Sequence, residues 1–180
     1  LALGVDPDGN VVPVKVGADG SALLAPQGIY AEVSFTPAAA AYGAGDIIST
    51  AKELVFTYGD GSPIPSGSLI RILSTSLKID VTSVPAGQTS YTGQLYSATP
   101  PSAQADNDAW TLASSDLTVY RGDLALGTPV DKGAACSVRA AELNIDIKLT
   151  GTSLWMELVT DGAHTAAAVA RQIGVIGFVL

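Results

Sequence analysis

Apolar and polar residues alternate over long stretches of this chain. Ile29, Ala31, Val33 and Phe35 share one parity while Tyr30, Glu32 and Ser34 share the other, which is the period of a half-buried strand. Leu54, Phe56 and Tyr58 repeat the pattern. Between Leu69 and Val81, the residues Leu69, Leu73, Leu77, Ile79 and Val81 align, with Arg71 as the exception. Ile70 and Ile72 make the start of that segment apolar on both sides, which predicts an end covered on both faces. Leu143, Ile145, Ile147 and Leu149 alternate against Asn144, Asp146 and Lys148. Leu154, Met156 and Leu158 follow beyond Gly151, a pattern that predicts a hairpin. The chain closes with Ile173 to Leu180, where Gly174 and Gly177 predict a bulge or tight bend.

Helical signals are thin. Ser114, Ser115 and Asp116 resemble an N-terminal cap for a short turn ending near Tyr120 and Gly122. Residues 37 to 41 offer at most one turn before Gly43 and Gly45 stop it. The first 26 residues differ from the rest. Asp6-Pro7-Asp8-Gly9-Asn10 and Gly17-Ala18-Asp19-Gly20 are turn signals, each followed by a short apolar stretch. They predict an extended arm or hairpin ribbon over residues 1–26, too poor in apolar side chains to form a core. The remainder, 27–180, reads as eight or so strands joined by loops rich in Pro, Gly and Ser. That predicts an all-β domain, a β-sandwich or jelly roll, between which periodicity does not choose.

Composition sharpens this picture. A 180-residue chain buries a sizeable core unaided, and its single cysteine, Cys136, excludes an internal disulfide and multi-cysteine metal sites. A lone thiol beside Ala134 and Ala135 reads as a small buried hydrophobe. Only 14% of residues are charged while 47% are hydrophobic, so Ser, Thr, Gly, Asn and Gln must cover much of the surface. That balance suits a β protein whose flanks are partly occupied by neighbours. The net charge of −8, without any basic run, disfavours nucleic acid as a partner. Leu1 to Gly4 lacks the basic start of a signal peptide, and the apolar C-terminal run is too short to span a membrane.

Several residues tempt a chemical reading. His164 is the only histidine, so any Ser-His-Asp triad would have to use it, yet its loop-like surroundings carry no nucleophile motif. An exposed or hydrogen-bonded loop histidine is the expectation. Asp6, Asp8 and Asn10 have part of the spacing of a calcium loop but lack the closing bidentate Glu, and Asp106-Asn107-Asp108 reads as loop-shaping. Arg121-Gly122-Asp123 spells an adhesion tripeptide too short to support a function. Tyr91, Tyr96, Trp110 and Trp155 offer a better alternative, stacking on sugar rings, provided two or more share an exposed sheet face. No catalytic, cofactor-binding or metal-binding residue is expected.

One stretch resembles known proteins. Pro100-Pro101-Ser102-Ala103-Gln104-Ala105-Asp106-Asn107-Asp108-Ala109-Trp110-Thr111-Leu112-Ala113, followed by Ser114-Ser115-Asp116-Leu117, is similar to a segment of tailed-bacteriophage virion structural proteins. Tyr42 to Ile48 and Ile70 to Leu77 resemble their earlier elements, and the order of elements matches over roughly 29 to 180. The resemblance implies a jelly-roll-like domain of the head-decoration or capsid-stabilising type. It implies a homo-oligomer, trimer rather than dimer, bound to the major capsid protein on the outer capsid surface of the virion. It brings no catalytic residues. The alternative is a carbohydrate- or host-binding module of a fibre or baseplate.

Overall fold

The computed structural model describes residues 2–5, 11–14 and 27–180. Ala2–Val5 (β1) pairs antiparallel with Val11–Val14 (β2). Eight strands then build the body: Gly28–Phe35 (β3), Lys52–Val55 (β5), Leu69–Ile79 (β7), Tyr91–Tyr96 (β8), Tyr120–Gly127 (β9), Cys136–Lys148 (β11), Ser153–Thr160 (β12) and Arg171–Val179 (β14). Short strands Ala41–Tyr42 (β4), Thr57–Tyr58 (β6), Val130–Asp131 (β10) and His164–Thr165 (β13) extend edges or bridge loops.

The pairing is that of one long hairpin rolled up. Its ends, β3 and β14, pair; so do β5 with β12, β7 with β11, and β8 with β9 at the tip. Rolling then adds β14 to β7 and β12 to β8, giving sheets β10-β11-β7-β14-β3-β6 and β5-β12-β8-β9. This is the jelly roll, whose two sheets stack face to face and interdigitate their inner side chains. Ile29, Ala31, Ile72, Leu77, Ile79, Ile173 and Val175 from one sheet meet Leu54, Leu95, Leu124, Leu154, Met156 and Leu158 from the other. Close packing is visible at Gly93, where an added Cβ would come within 2.9 Å of the Met156 sulfur.

Three expectations need correction. Ile70 and Ile72 are not covered from two sides. Leu73 is an extra residue relative to β14, which pairs Gly177 with Ile72 and Ile176 with Ser74. Such a bulge reverses the strand's parity. Ile70 and Ile72 point inward before it and Thr75, Leu77 and Ile79 after it, leaving Leu69 40% exposed on the outer face. The neighbouring strand β11 is irregular at the same level, with Glu142 and Asn144 at φ 60 and 49. Gly177 sits against the bulge; a Cβ there would lie 2.1 Å from the Arg71 carbonyl oxygen.

Second, Gly151 does not close a hairpin. β11 belongs to the six-stranded sheet and β12 to the four-stranded one, so the chain crosses between sheets there. Third, Ser114–Asp116 is itself the short helical turn, of 3-10 type, preceded by Ala113 without a side-chain cap. Gly122, expected to stop that turn, instead lies within β9 at φ 108, and residues 37 to 40 are not helical. The register does shift beside Gly177, but the extra residue is Leu73 on β7, and β14 itself runs unbroken along β3.

Candidate functional site

Strands of a two-layer sandwich have one face in the core and one free. On the four-stranded sheet, Trp155, Glu157 and Val159 of β12 lie on the outer face, in register with Tyr96, Gln94 and Thr92 of β8. β9 adds Tyr120 opposite Tyr96. This face is covered by the 97–119 loop, so that Tyr96 and Glu157 are wholly buried.

The loop is fastened at Asp106. Its carboxylate accepts hydrogen bonds from the Ala38 amide (2.9 Å), the Ser49 amide (2.6 Å) and the Tyr42 hydroxyl (2.8 Å). Burial works to raise this carboxyl's pKa, but the two amides and the hydroxyl outweigh it and hold the group below the ordinary value. Backbone bonds from Asn107 to Ile47, Ile47 to Asp108 and Trp110 to Gly45 complete the fastening. The Asp106-Asn107-Asp108 cluster therefore shapes the loop.

Beneath the loop lies a polar chain. The Trp110 indole Nε1 donates to the Tyr96 hydroxyl at 3.0 Å, and that hydroxyl donates to Glu157 Oε2 at 2.9 Å. The Tyr120 hydroxyl donates to Gln94 Oε1 at 2.9 Å. The rings of Tyr96 and Tyr120 meet at 5.5 Å and those of Trp110 and Tyr120 at 6.3 Å. Asp116 is also wholly buried, accepting from the Ser102 amide (2.8 Å) and hydroxyl (2.6 Å). Burial, reinforced by the Asp116 charge, pushes the Glu157 carboxyl upward against the Tyr96 hydrogen bond. Tyr96 is raised by burial first and by the Glu157 charge. Glu157 Oε1 has no hydrogen-bond partner. A hollow of about 200 Å³ adjoins Glu157.

A second polar cluster surrounds His164. Its strand β13 pairs with β4, placing His164 opposite Tyr42. The imidazole stacks on Tyr42 (5.9 Å, 22°) and meets the edge of Tyr91 (6.2 Å). His164 is thus buried in a short strand, not exposed in a loop, and the hydrogen-bonded half of the expectation holds. Nδ1 lies 3.1 Å from the Gly162 carbonyl, which only accepts, so Nδ1 bears the proton. The Thr160 hydroxyl, 3.4 Å away, donates to the same carbonyl at 2.8 Å. Its proton therefore points away from the ring. Arg171 is buried nearby, its charge opposing the effect of burial on Tyr42 and Tyr91.

The remaining residues singled out from the sequence are dispersed. Cys136 is a buried thiol raised by burial and sits in the core. Arg121, Gly122 and Asp123 run along β9, with the Arg121 guanidinium folded onto the Thr118 and Tyr120 carbonyls. Tyr91 is buried in the inter-sheet core, whereas Tyr96, Trp110 and Trp155 share the covered face, both tryptophans half-buried. Asp6, Asp8 and Asn10 lie outside the described residues. Sequence reasoning missed Glu157, Asp116, Tyr42 and Arg171. A signal existed for Glu157: it stands in Leu154-Trp155-Met156-Glu157-Leu158-Val159, apolar on both parities, which marks a strand covered on both faces.

The open face of the six-stranded sheet contrasts with this covered one. Register places Glu32, Gly174, Ser76 and Arg139 in one outward row and Tyr30, Ile176, Ser74 and Ala141 in the next. The small residues in the middle leave a trough of about 510 Å³. Lys78 donates to Gln172, and Gln172 to Glu32, along one wall. Tyr30 and Ile176, paired across strands, are 47% and 49% exposed.

No protein-family model and no curated protein matches the chain. Solved structures match over most of the chain's length. A chain of the cyanophage Pam1 capsid asymmetric unit overlays 92% of this chain and 98% of its own length, at 14% identity and a TM-score of 0.35. A chain of infectious bursal disease virus, Gt strain, matches 99% of this chain at 13% identity and a TM-score of 0.37, and only 36% of its own length is covered. A chain of Desmodium yellow mottle tymovirus matches 99% of this chain and 90% of its own, at 17% identity and a TM-score of 0.27. TM-scores this low carry no functional assignment.

Proposed function

We propose that this chain is a non-enzymatic structural subunit of a tailed-phage particle. It decorates and stabilises the outside of the capsid shell as a homo-oligomer, a trimer rather than a dimer, with the major capsid protein as its partner. The observation that carries this reading is the contrast between the two sheet faces. The polar side chains that could do chemistry, Glu157, Asp116, His164 and Arg171, lie buried under the loop or in the interior, while the other sheet stays open. That open face presents the Tyr30–Ile176 pair, with Leu69 further along the same face. Exposed apolar pairs on an otherwise polar sheet suit contact with a neighbour. The acidic net charge suits a position outside the shell, away from packaged nucleic acid.

Such a subunit acts by linkage. Binding the assembled shell and not its parts shifts the equilibrium toward assembly, and repetition over a lattice multiplies individually weak contacts. The test is a binding assay with empty, expanded heads, run beside light-scattering mass measurement of the free protein. Oligomeric protein that coats heads, with coating lost in Ile176→Asp, supports the proposal. A monomer that binds no virion component refutes it.

A further inference from the structure

The hollow beside Glu157 has walls of two kinds. Ala51, Pro100 and Ala103 are apolar; Thr50, Thr99 and Gln104 are polar. Glu157 lines it too, and although the residue is wholly buried, only one of its oxygens is used. Tyr96 holds Oε2 and nothing holds Oε1. The charge that acts on Glu157 is another carboxylate, Asp116, itself wholly buried. Among the described residues the one ion pair is Arg71–Asp146, on the other sheet. Lys52 comes to the wall of the hollow, its ammonium 3.2 Å from the Thr50 hydroxyl, but it lies over the Phe35 ring. Two carboxylates thus stand buried together without a cation. A buried charge left in that state is costly, and a paired one much less so.

We propose that this hollow is an anchor for a cation on an apolar stem: the side chain of a lysine or arginine from a neighbouring protein subunit, with Glu157 as its counter-charge. The apolar walls take the methylenes and Glu157 takes the head, the division such amphipathic side chains favour. The site does not depend on the shell-coating role. A chain that fails to coat heads can still hold the cation, and one that coats them can lack it.

The test uses the full chain and two capped amino acids that share an unbranched four-carbon stem and differ in the terminal ammonium, Nα-acetyl-lysine methylamide and Nα-acetyl-norleucine methylamide. Binding is followed by the Glu157 side-chain carboxyl resonance and by calorimetry. The lysine probe shifts the Glu157 resonance and the norleucine probe does not. In Glu157→Gln, with its fold verified by circular dichroism and unfolding midpoint, affinity for the lysine probe falls about tenfold or more, the scale of one charge-assisted hydrogen bond. In Lys52→Met it stays within about twofold, the spread expected of a residue outside the contact. The proposal is overturned if neither probe binds up to about 100 mM, the dissociation constant of a ~1.4 kcal/mol contact. It is equally overturned if both probes bind alike, or if Glu157→Gln leaves affinity unchanged. A gain of more than about tenfold in Lys52→Met overturns it as well, since the chain's own lysine would then be the occupant.

Discussion

Gly87 holds the loop before β8 against the turn that delivers His164. Its φ of +84 lies in the left-handed region, and an added Cβ would stand 2.2 Å from the Ala163 carbonyl oxygen. Gly87→Ala therefore incurs two separate penalties. The backbone conformation costs an alanine about 1 kcal/mol. The contact is with backbone, which cannot rotate aside, so the loop and the 161–163 turn must part; overpacking of this kind costs about 1–3 kcal/mol. Gly61 supplies the control, because its φ is +86 and nothing lies within 4 Å of the Cβ position. Gly61→Ala meets only the backbone penalty. Urea unfolding with a slope of about 2 kcal/mol per molar converts these losses to midpoint shifts of about 1–2 M for Gly87→Ala and about 0.5 M for Gly61→Ala. The His164 ring resonances move in the first variant only. Equal losses in the two variants would refute the reasoning, since they share everything except the collision.

Leu77 and Leu69 share a parity in the sequence but point to opposite faces across the Leu73 bulge, so Leu77→Ala costs about 2–5 kcal/mol and Leu69→Ala less than about 1 kcal/mol; similar losses measured by denaturation would remove the bulge. Burial raises the Glu157 carboxyl above 4.5, so the folded state holds a proton that the unfolded state has released. Its favourable contribution is complete below about pH 4.5 and fades as pH rises toward the folded-state pKa, by at most ~1.4 kcal/mol per pH unit. Glu157→Gln is accordingly expected to gain on the wild type as pH rises from 4 to 8, and a flat difference in unfolding free energy counts against it. Asp106 is held below 3.8, which gives the opposite sign: its contribution is present above that value and is lost as pH falls. Asp106→Asn should leave β8 and β12 protected while the 97–119 amides exchange faster; unchanged exchange in the loop contradicts its role as fastener.

The strands were legible because their cause is local. Alternation at Ile29–Phe35 and Leu143–Leu149 follows from one face meeting the core and one meeting water, and each residue records its own side. Gly177 likewise marks where the register shifts, although the extra residue, Leu73, belongs to the facing strand. Where one position depends on a distant one, the sequence was silent or misleading. Leu69 and Leu77 keep a common parity on paper, and only the paired strands β11 and β14 reveal that Leu73 reverses it. Leu154 to Leu158 stands next to Leu143 to Leu149 in the chain, whereas rolling the hairpin sends them to different sheets.

The candidate site shows the same division. The sequence by itself indicated that Asp106 shapes a loop and that Cys136 is a core residue; it offered Tyr91, Tyr96, Trp110 and Trp155 as aromatics that share a face only if exposed together, and Tyr91 lies in the core instead. The tertiary structure alone decided that the loop folds back over that face, burying Glu157 and Asp116 and turning a would-be open aromatic platform into a covered one. The physical reason is that a carboxylate's environment is built by residues far along the chain: Glu157 meets Tyr96 across 61 positions and Asp106 meets Tyr42 across 64. No window of sequence contains both partners.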